Sequence, residues 1–562
     1  MSNRIIGFLN KSSNKISEAA LLLGGFAFIS QILGLIRDRM LAYIVGAGPS
    51  LDVYYAAFRI PDFLYVSIAS LASVTVVMPF IVEKMKDDKG GKEKAQIFLN
   101  NVFSSFLIFI LGASIIMFFV MPYIAHYIAP GFTTHQMKLM ITVSRIMLLS
   151  PIFIGLSNLI GTITQLYKNF FVFSLSPVFY NIGILTGIIF LYPILGVYGL
   201  GIGVIVGAIL HLLVQAPVVA SHKFLPKFVR KIDWMEMWRV ARLSLPRTLA
   251  LSSNSIAFMV LIAMASTLKA GSISLFTFSY NLQSVPVGII GISYSVAAFP
   301  TLVKSFSNGN IKAFINYIMN TARQIIFWSI PVITLLIVLR AQIVRVILGS
   351  HRFTWSDTRL TAAAVALFIV SLVTQGLVLL FVRGYYAAGN TKKPVIVNVL
   401  SSGMVVILAF LFVHIFRSSP NLLSNLDILL RVKDVPGTIM LSLPLAYAGG
   451  SILNFFLIWF LFRRDFFHKS SLKLWPTFIQ SILGSIAIGV VTYLSLGVFD
   501  DIFNLKTFYG IFLQGLISGI LGILAGITVL LLLKNKELHG IIKTLSHKLR
   551  SDQVVAPGQA DL

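Results

Sequence analysis

Cysteine is absent from this sequence, which excludes disulfide frameworks, thiolate metal sites and cysteine nucleophiles and leaves the redox compartment unreadable. Charge is scarce as well. Only 11% of the 562 residues are charged, whereas 57% are hydrophobic. A water-soluble surface cannot be assembled from that remainder, and the mean hydropathy of +0.89 agrees. Acids are the scarcest charges, 19 against 45 Lys and Arg, for a formal net charge of +26. In a soluble chain such an excess would point to nucleic acid. Here it sits mostly in short loops between apolar runs, so topology and anionic membrane lipid explain it, and no nucleic-acid partner follows. There is no H-E-x-x-H, G-x-S-x-G or Walker sequence, hence no motif for a metal, a catalytic serine or a nucleotide; no cofactor and no enzyme activity are expected. What remains is an all-α polytopic membrane protein.

A hydrocarbon core of about 30 Å needs roughly 20 apolar helical residues. That ruler selects about fourteen segments: 19-45, 52-82, 96-122, 136-166, 171-192, 195-221, 247-268, 274-303, 314-340, 358-388, 394-415, 437-462, 476-498 and 508-533. Pro61 and Pro79 lie inside 52-82, which is therefore expected to kink or tilt. An even number of spans puts both termini on one side. Lys84, Lys86, Lys89, Lys92 and Lys94 share one loop, and Lys223, Lys227, Arg230, Lys231, Arg239 and Arg242 share another, which makes those loops and both termini cytoplasmic. The apolar stretch after residues 1-18 is too long for a signal sequence and is expected to stay in the mature protein. In 534-562, Leu538, Ile541, Ile542, Leu545 and Leu549 recur at helical spacing among lysines, which suits either a helix on the inner leaflet or a solvated basic tail.

Laid on itself at an offset of roughly 220 residues, the chain repeats. Ala47-Gly48-Pro49-Ser50-Leu51 is answered by Ala270-Gly271-Ser272-Ile273, Met78-Pro79-Phe80 by Phe299-Pro300-Thr301, and Pro177-Val178-Phe179-Tyr180-Asn181 by Pro394-Val395-Ile396-Val397-Asn398. Six spans repeat as six. Because six is even, both copies enter the membrane in the same direction, and a pseudo-twofold axis along the membrane normal is expected to relate them. The expected layout is an N-terminal segment 1-18, an N-lobe 19-221, a basic linker 222-246, a C-lobe 247-462, two extra helices in 463-533 and the tail 534-562.

Each ion at mid-bilayer costs about 2.5 to 3.5 kcal/mol on insertion scales, so a cluster implies a wet cavity or paired partners. In the first span Ser30, Gln31, Gly34, Arg37 and Asp38 share one broad helical face; in the second, Asp52, Tyr55, Arg59 and Asp62 share another. The second-half counterparts of those four are Ser274, Thr277, Asn281 and Ser284, polar but uncharged. The expected site is thus lopsided, with Arg37 and Arg59 offering guanidinium forks to a phosphate or carboxylate. Arg247, at the start of the seventh span, either supplements it or snorkels to the interface. Arg37 and Asp38 diverge by about 100° on a helix and are expected to pair poorly, whereas Asp62 lies one turn from Arg59. Arg145 and Arg323 read as structural or snorkelling. Glycines such as Gly199, Gly203 and Gly207 read as close helix packing, and Asp87-Asp88 and Asp500-Asp501 as solvated turns.

The run Ser30-Gln31-Ile32-Leu33-Gly34-Leu35-Ile36-Arg37-Asp38, then Gly46-Ala47-Gly48 and Asp52-Val53-Tyr54-Tyr55-Ala56-Ala57-Phe58-Arg59-Ile60-Pro61-Asp62, resembles the amino-terminal signature of the MurJ/MviN lipid II flippases. These belong to the multidrug/oligosaccharidyl-lipid/polysaccharide exporter superfamily. Ala129-Pro130-Gly131-Phe132 and the stretch from Gly196 to Gln215 also look like that family. The resemblance implies fourteen spans and movement of an undecaprenyl-diphosphate-linked peptidoglycan precursor across a bacterial plasma (inner) membrane by alternating access. It also implies arginines on the diphosphate and a groove for the lipid tail beside the last two spans. Residue by residue it places Arg37, Asp38, Asp52 and Arg59 in the cavity. This chain departs from the pattern where Gln31, Tyr65-Val66 and Asn281 stand in place of arginines. The competing readings are an exporter of another lipid-linked oligosaccharide, a cation-coupled multidrug exporter using Asp38, Asp52 or Asp62, and a non-transporting scaffold for cell-wall lipids or cell-wall synthesis proteins.

Overall fold

The protein is described by a computed structural model covering residues 16–69, 74–86, 90–467, 474–540 and 542–543. Lys89, Asp87-Asp88 and most of the basic tail lie outside the described residues. Every regular element among the described residues is helical. Among the described residues, eleven helices are long and apolar enough to cross a membrane, and the pair Trp355–Ile369 and Leu372–Ala387, bent by 43°, makes a twelfth when taken as one span. The two remaining expected spans correspond to the helix Ile16–Met40 and to the interrupted run Pro49–Ala57, Arg59–Leu64 and Val74–Met85, neither of which belongs to those twelve. An all-helical build follows from the solvent: hydrocarbon offers no hydrogen bonds, so each backbone group must be satisfied within its own segment.

The chain divides into two compact units, Met1–Ser274 and Leu275–Leu562. In the first, the 38-residue helix Gly91–Ile128 presents Ile115, Ile116 and Phe119 outward, each more than half exposed, as a lipid-facing flank requires. Its inner face packs Phe98, Leu99 and Val102 against Leu159, Ile163 and Phe224. The helix Phe170–Thr186 and the π-helical turn Gly187–Leu191 that continues it touch Val197–Leu213 through glycine: a Cβ on Gly183 would lie 2.2 Å from the Gly207 Cα, and one on Gly203 2.5 Å from the Gly187 Cα. The expected close packing is therefore present there.

The linker does not hang free. Gln96, Asn100 and Ser104, spaced one turn apart on Gly91–Ile128, bond the Leu225 carbonyl at 2.9 Å, the Lys227 N–H at 2.8 Å and the Val229 N–H at 2.8 Å. Lys84 adds an ion pair to Glu236 at 2.6 Å. The helix that follows, Trp234–Ser266, runs within the first unit and contains the segment that the repeat assigns to the start of the second copy.

The second unit is held by an aromatic core in which Phe314, Phe381, Tyr385 and Phe462 are fully buried and meet at ring distances of 5.0 to 6.4 Å. Within the two units the duplication has a local echo. The second span widens into a π-helical turn at Tyr65–Ala69 ahead of a helix containing Pro79, and the eighth does the same at Val287–Ile292 ahead of a helix containing Pro300. π-turns of this kind concentrate at functional sites.

Candidate functional site

Pro61 breaks the second span for a definite reason. It has no N–H, so the Ala57 carbonyl one turn earlier loses its helical donor, and the Ser144 hydroxyl supplies one at 2.8 Å. The break turns Phe58, Pro61 and Asp62 toward Arg37. These four, with Tyr65, Ser150, Ile154, Pro177, Tyr180 and His211, line a cavity of about 380 Å³ inside the first unit.

Arg37 and Asp38 do pair, against the expectation drawn from helical geometry: both Nε and Nη2 of Arg37 reach Asp38 Oδ1, at 3.1 and 2.9 Å. The long arginine stem curls back across the 100° that separates adjacent positions, which an alkyl chain of that length can do. Asp38 is buried, while a quarter of the Arg37 side chain stays accessible, and its remaining guanidinium nitrogen is left to serve the cavity.

Arg59 lies elsewhere. Its Nε donates to the Tyr55 carbonyl at 3.1 Å and its guanidinium sits 4.8 Å above the Phe258 ring; it is not among the residues lining the cavity. Asp52 also turns away. Its Oδ2 accepts the Gly271 N–H at 2.6 Å, and its Oδ1 accepts the Ser274 N–H at 2.8 Å and the Ser274 hydroxyl at 2.6 Å. The carboxylate thus fastens the start of the helix Ser272–Pro286, as an acid at a helix N-terminus does.

Ser30 receives Asn181 Nδ2 on its hydroxyl at 3.2 Å, and Gln31 is half-buried on the same helix. Asn281, in the second unit, is half-buried and accepts the Ser284 hydroxyl on its carbonyl at 2.7 Å. The side chain of Arg247 lies outside the described residues. Arg145 bonds the Phe118 carbonyl at 2.9 Å and covers its ring, a structural role as expected.

Sequence reasoning missed the far wall. His211 Nδ1 lies 2.7 Å from the Ser157 hydroxyl, Gln215 Nε2 reaches the same hydroxyl at 2.7 Å, and Asn158 donates to the Tyr65 hydroxyl at 2.9 Å. A histidine in the otherwise apolar, glycine-rich helix Val197–Leu213 was the available signal. The assembled cavity is a largely apolar chamber within the first unit, with one partly accessible guanidinium, Arg37, and one further carboxylate, Asp62, at its wall.

A bundle of membrane-crossing helices enclosing a charged chamber defines a polytopic membrane transporter. The sequence profile of the family described as "Lipid II flippase MurJ" matches residues 41–513, and the chain belongs to that family. Relatives include "Probable lipid II flippase MurJ" of Buchnera aphidicola subsp. Baizongia pistaciae, 25% identical over 478 residues, covering 84% of this chain and 88% of that protein. "Lipid II flippase MurJ" of Burkholderia cenocepacia is 25% identical over 387 residues, covering 67% and 74%. Among solved structures, "Lipid II flippase MurJ, inward closed conformation" shares the fold at a TM-score of 0.72 and 24% identity, covering 93% of this chain and all of that one. An inward-facing MATE family transporter of the MOP superfamily follows at 0.62 and 16%, covering 80% and 98%.

Proposed function

We propose that this protein moves a lipid-linked peptidoglycan precursor of the lipid II type across the bacterial plasma membrane, making and breaking no covalent bond. The observation that carries the reading is the family match from residue 41 to 513, joined to Arg37 standing at the edge of an intramembrane cavity. Arg37 holds a diphosphate oxygen with the nitrogen that Asp38 leaves unused, and Asp38 keeps the guanidinium in that orientation. Alternating access of two six-span lobes carries the head group, with both termini cytoplasmic. Ser30, Gln31 and, from the second copy, Asn281 supply neutral hydrogen bonds, and Arg247 adds charge near the cytoplasmic end.

The polyprenyl tail takes an apolar groove of about 780 Å³ in the second unit, lined by Ile289, Trp328, Leu336, Ile343, Phe512 and Ile520 among others. It runs along the last span, Phe508–Leu532, and no residue of Trp475–Asp500 lines it. Anionic lipid and cell-wall synthesis proteins are the further partners proposed.

The test is complementation. Cells depleted of their own flippase regain lipid II translocation when they express this chain and lose it again with Arg37→Ala. If the chain folds and inserts yet restores nothing, a scaffold role stands in its place. If Asp62→Asn abolishes transport and Arg37→Ala does not, drug/cation exchange becomes the better account.

A further inference from the structure

The second unit carries a cationic pocket that the transport reading leaves unused. It lies where the starts of the helices Arg340–Leu348 and Trp355–Ile369 meet the end of Pro420–Leu430 and the last turns of Trp475–Asp500. The volume is about 610 Å³, and Arg340, Arg359, Arg431, Asp500, Trp355 and Tyr493 are among the lining residues.

The guanidinium groups are fixed by the backbone. Arg340 Nη1 donates to the Ile337 carbonyl at 3.0 Å and its Nη2 to the Leu430 carbonyl at 3.3 Å, neutral acceptors that leave its charge uncompensated. Arg431 donates to the Tyr493 hydroxyl at 3.1 Å and lies 5.8 Å from that ring. Arg359 is the neutralised member, held by both oxygens of Asp434 at 2.6 and 2.7 Å. Asp500 is engaged by Gln514 at 2.5 Å. Three guanidinium groups therefore meet two carboxylates, Asp434 and Asp500, and one positive charge is left over.

The surroundings are those of a membrane interface. Trp355, Tyr493, Leu429 and Leu494 are each more than half exposed, the mixture of aromatic and aliphatic surface that lies at the junction of head groups and chains. Gln342 lines this pocket and also the apolar groove described above, so a head bound at the arginines has hydrocarbon-lined space running away from it.

From this charge balance and its apolar continuation, we infer that the pocket is a binding site for one anionic glycerophospholipid, with a singly charged phosphodiester between Arg340 and Arg431 and its chains along the neighbouring apolar surface. One unbalanced positive charge matches one phosphodiester; a diphosphate, with its higher charge, is undercompensated there. By the lysine and arginine distribution this is the outer leaflet. The site's test reads lipid retention rather than translocation.

The purified full chain, stripped of lipid in neutral detergent, is titrated with phosphatidylglycerol, phosphatidylethanolamine or inorganic diphosphate and followed by native mass spectrometry. We expect one phosphatidylglycerol to be retained at least tenfold more tightly than phosphatidylethanolamine. Arg431→Gln, at an exposed position, and Arg340→Gln/Arg431→Gln should each weaken retention about tenfold or more, while Arg417→Gln, exposed on the same unit outside the pocket, should not. Equal retention of the two lipids, or phosphatidylglycerol binding unchanged in Arg431→Gln, would overturn the site. Displacement of the lipid by diphosphate would overturn it too, in favour of a general anion or cargo site.

Discussion

Asp52 accepts a 2.6 Å hydrogen bond from the hydroxyl of Ser274, the residue that stands at its own place in the second copy of the repeat. Its other oxygen takes the N–H of Gly271, whose φ of +92° few other residues adopt. A Cβ at Gly271 would come within 3.4 Å of the Ala47 carbonyl oxygen, so the two matching span entrances, 47-51 and 270-273, meet here. An acid that reads from sequence as a ligand group is, in the folded chain, a clasp on a helix start.

Loss of that clasp should cost stability. Asp52→Ala leaves two buried backbone N–H groups without their charged acceptor and is expected to destabilise by about 2–4 kcal/mol, with Ser274→Ala costing about 1 kcal/mol because one bond is lost. Thermal unfolding in detergent measures both, and a wild-type melting curve for Asp52→Ala would contradict the assignment.

Arg37 and Arg59 should separate in their effects. Arg37→Ala is expected to lower lipid II translocation at least about tenfold, the loss of one charge-assisted hydrogen bond, and to lower the melting temperature as well, because the buried Asp38 carboxylate loses its ion pair. Arg59→Ala is expected to lower stability by about 0.5–2 kcal/mol through the lost Phe258 contact, and Arg59→Lys to recover much of it. Comparable transport defects in both alanine variants would place the two guanidinium groups in one site after all.

The glycine contact between Phe170–Thr186 and Val197–Leu213 admits no side chain. Gly203→Val should destabilise by about 1–3 kcal/mol or more through overpacking, whereas Gly112→Ala, with nothing within 4 Å, should melt like the parent. Paired melting curves decide it.

The Arg359 guanidinium, bonded to both oxygens of Asp434, holds that carboxyl below the usual carboxylate range. A lowered folded-state value means that the pair stabilises above the ordinary carboxylate pKa of about 4 and that this contribution fades as pH falls below it. Asp434→Asn should therefore flatten part of the decline in melting temperature on acidification below about pH 4. An identical pH profile in both proteins would show the pair to be inconsequential, the usual result for an exposed salt bridge.

Class and most spans were legible in the residues because membrane hydropathy is local: a stretch such as Val197–Leu213 declares itself by composition alone. The repeat was legible for the same reason, since Pro79 and Pro300 keep their register within matching helices. The intramembrane charges were found, but not their partners. Helical projection gives the direction in which a side chain leaves the backbone; it does not give the conformation of an arginine several bonds long, and so the Arg37–Asp38 pair escaped it.

By itself the sequence determined an all-helical membrane protein of this family and singled out Arg37 as the cation to watch. Tertiary structure alone decided that Asp52 clasps a helix start, that Arg59 rests on Phe258, and that His211, Ser150 and Tyr180 come to the chamber around Arg37. Those outcomes depend on residues far apart in the chain competing for the same few donors and acceptors in a medium without water, and a competition of that kind is settled only when the helices have packed.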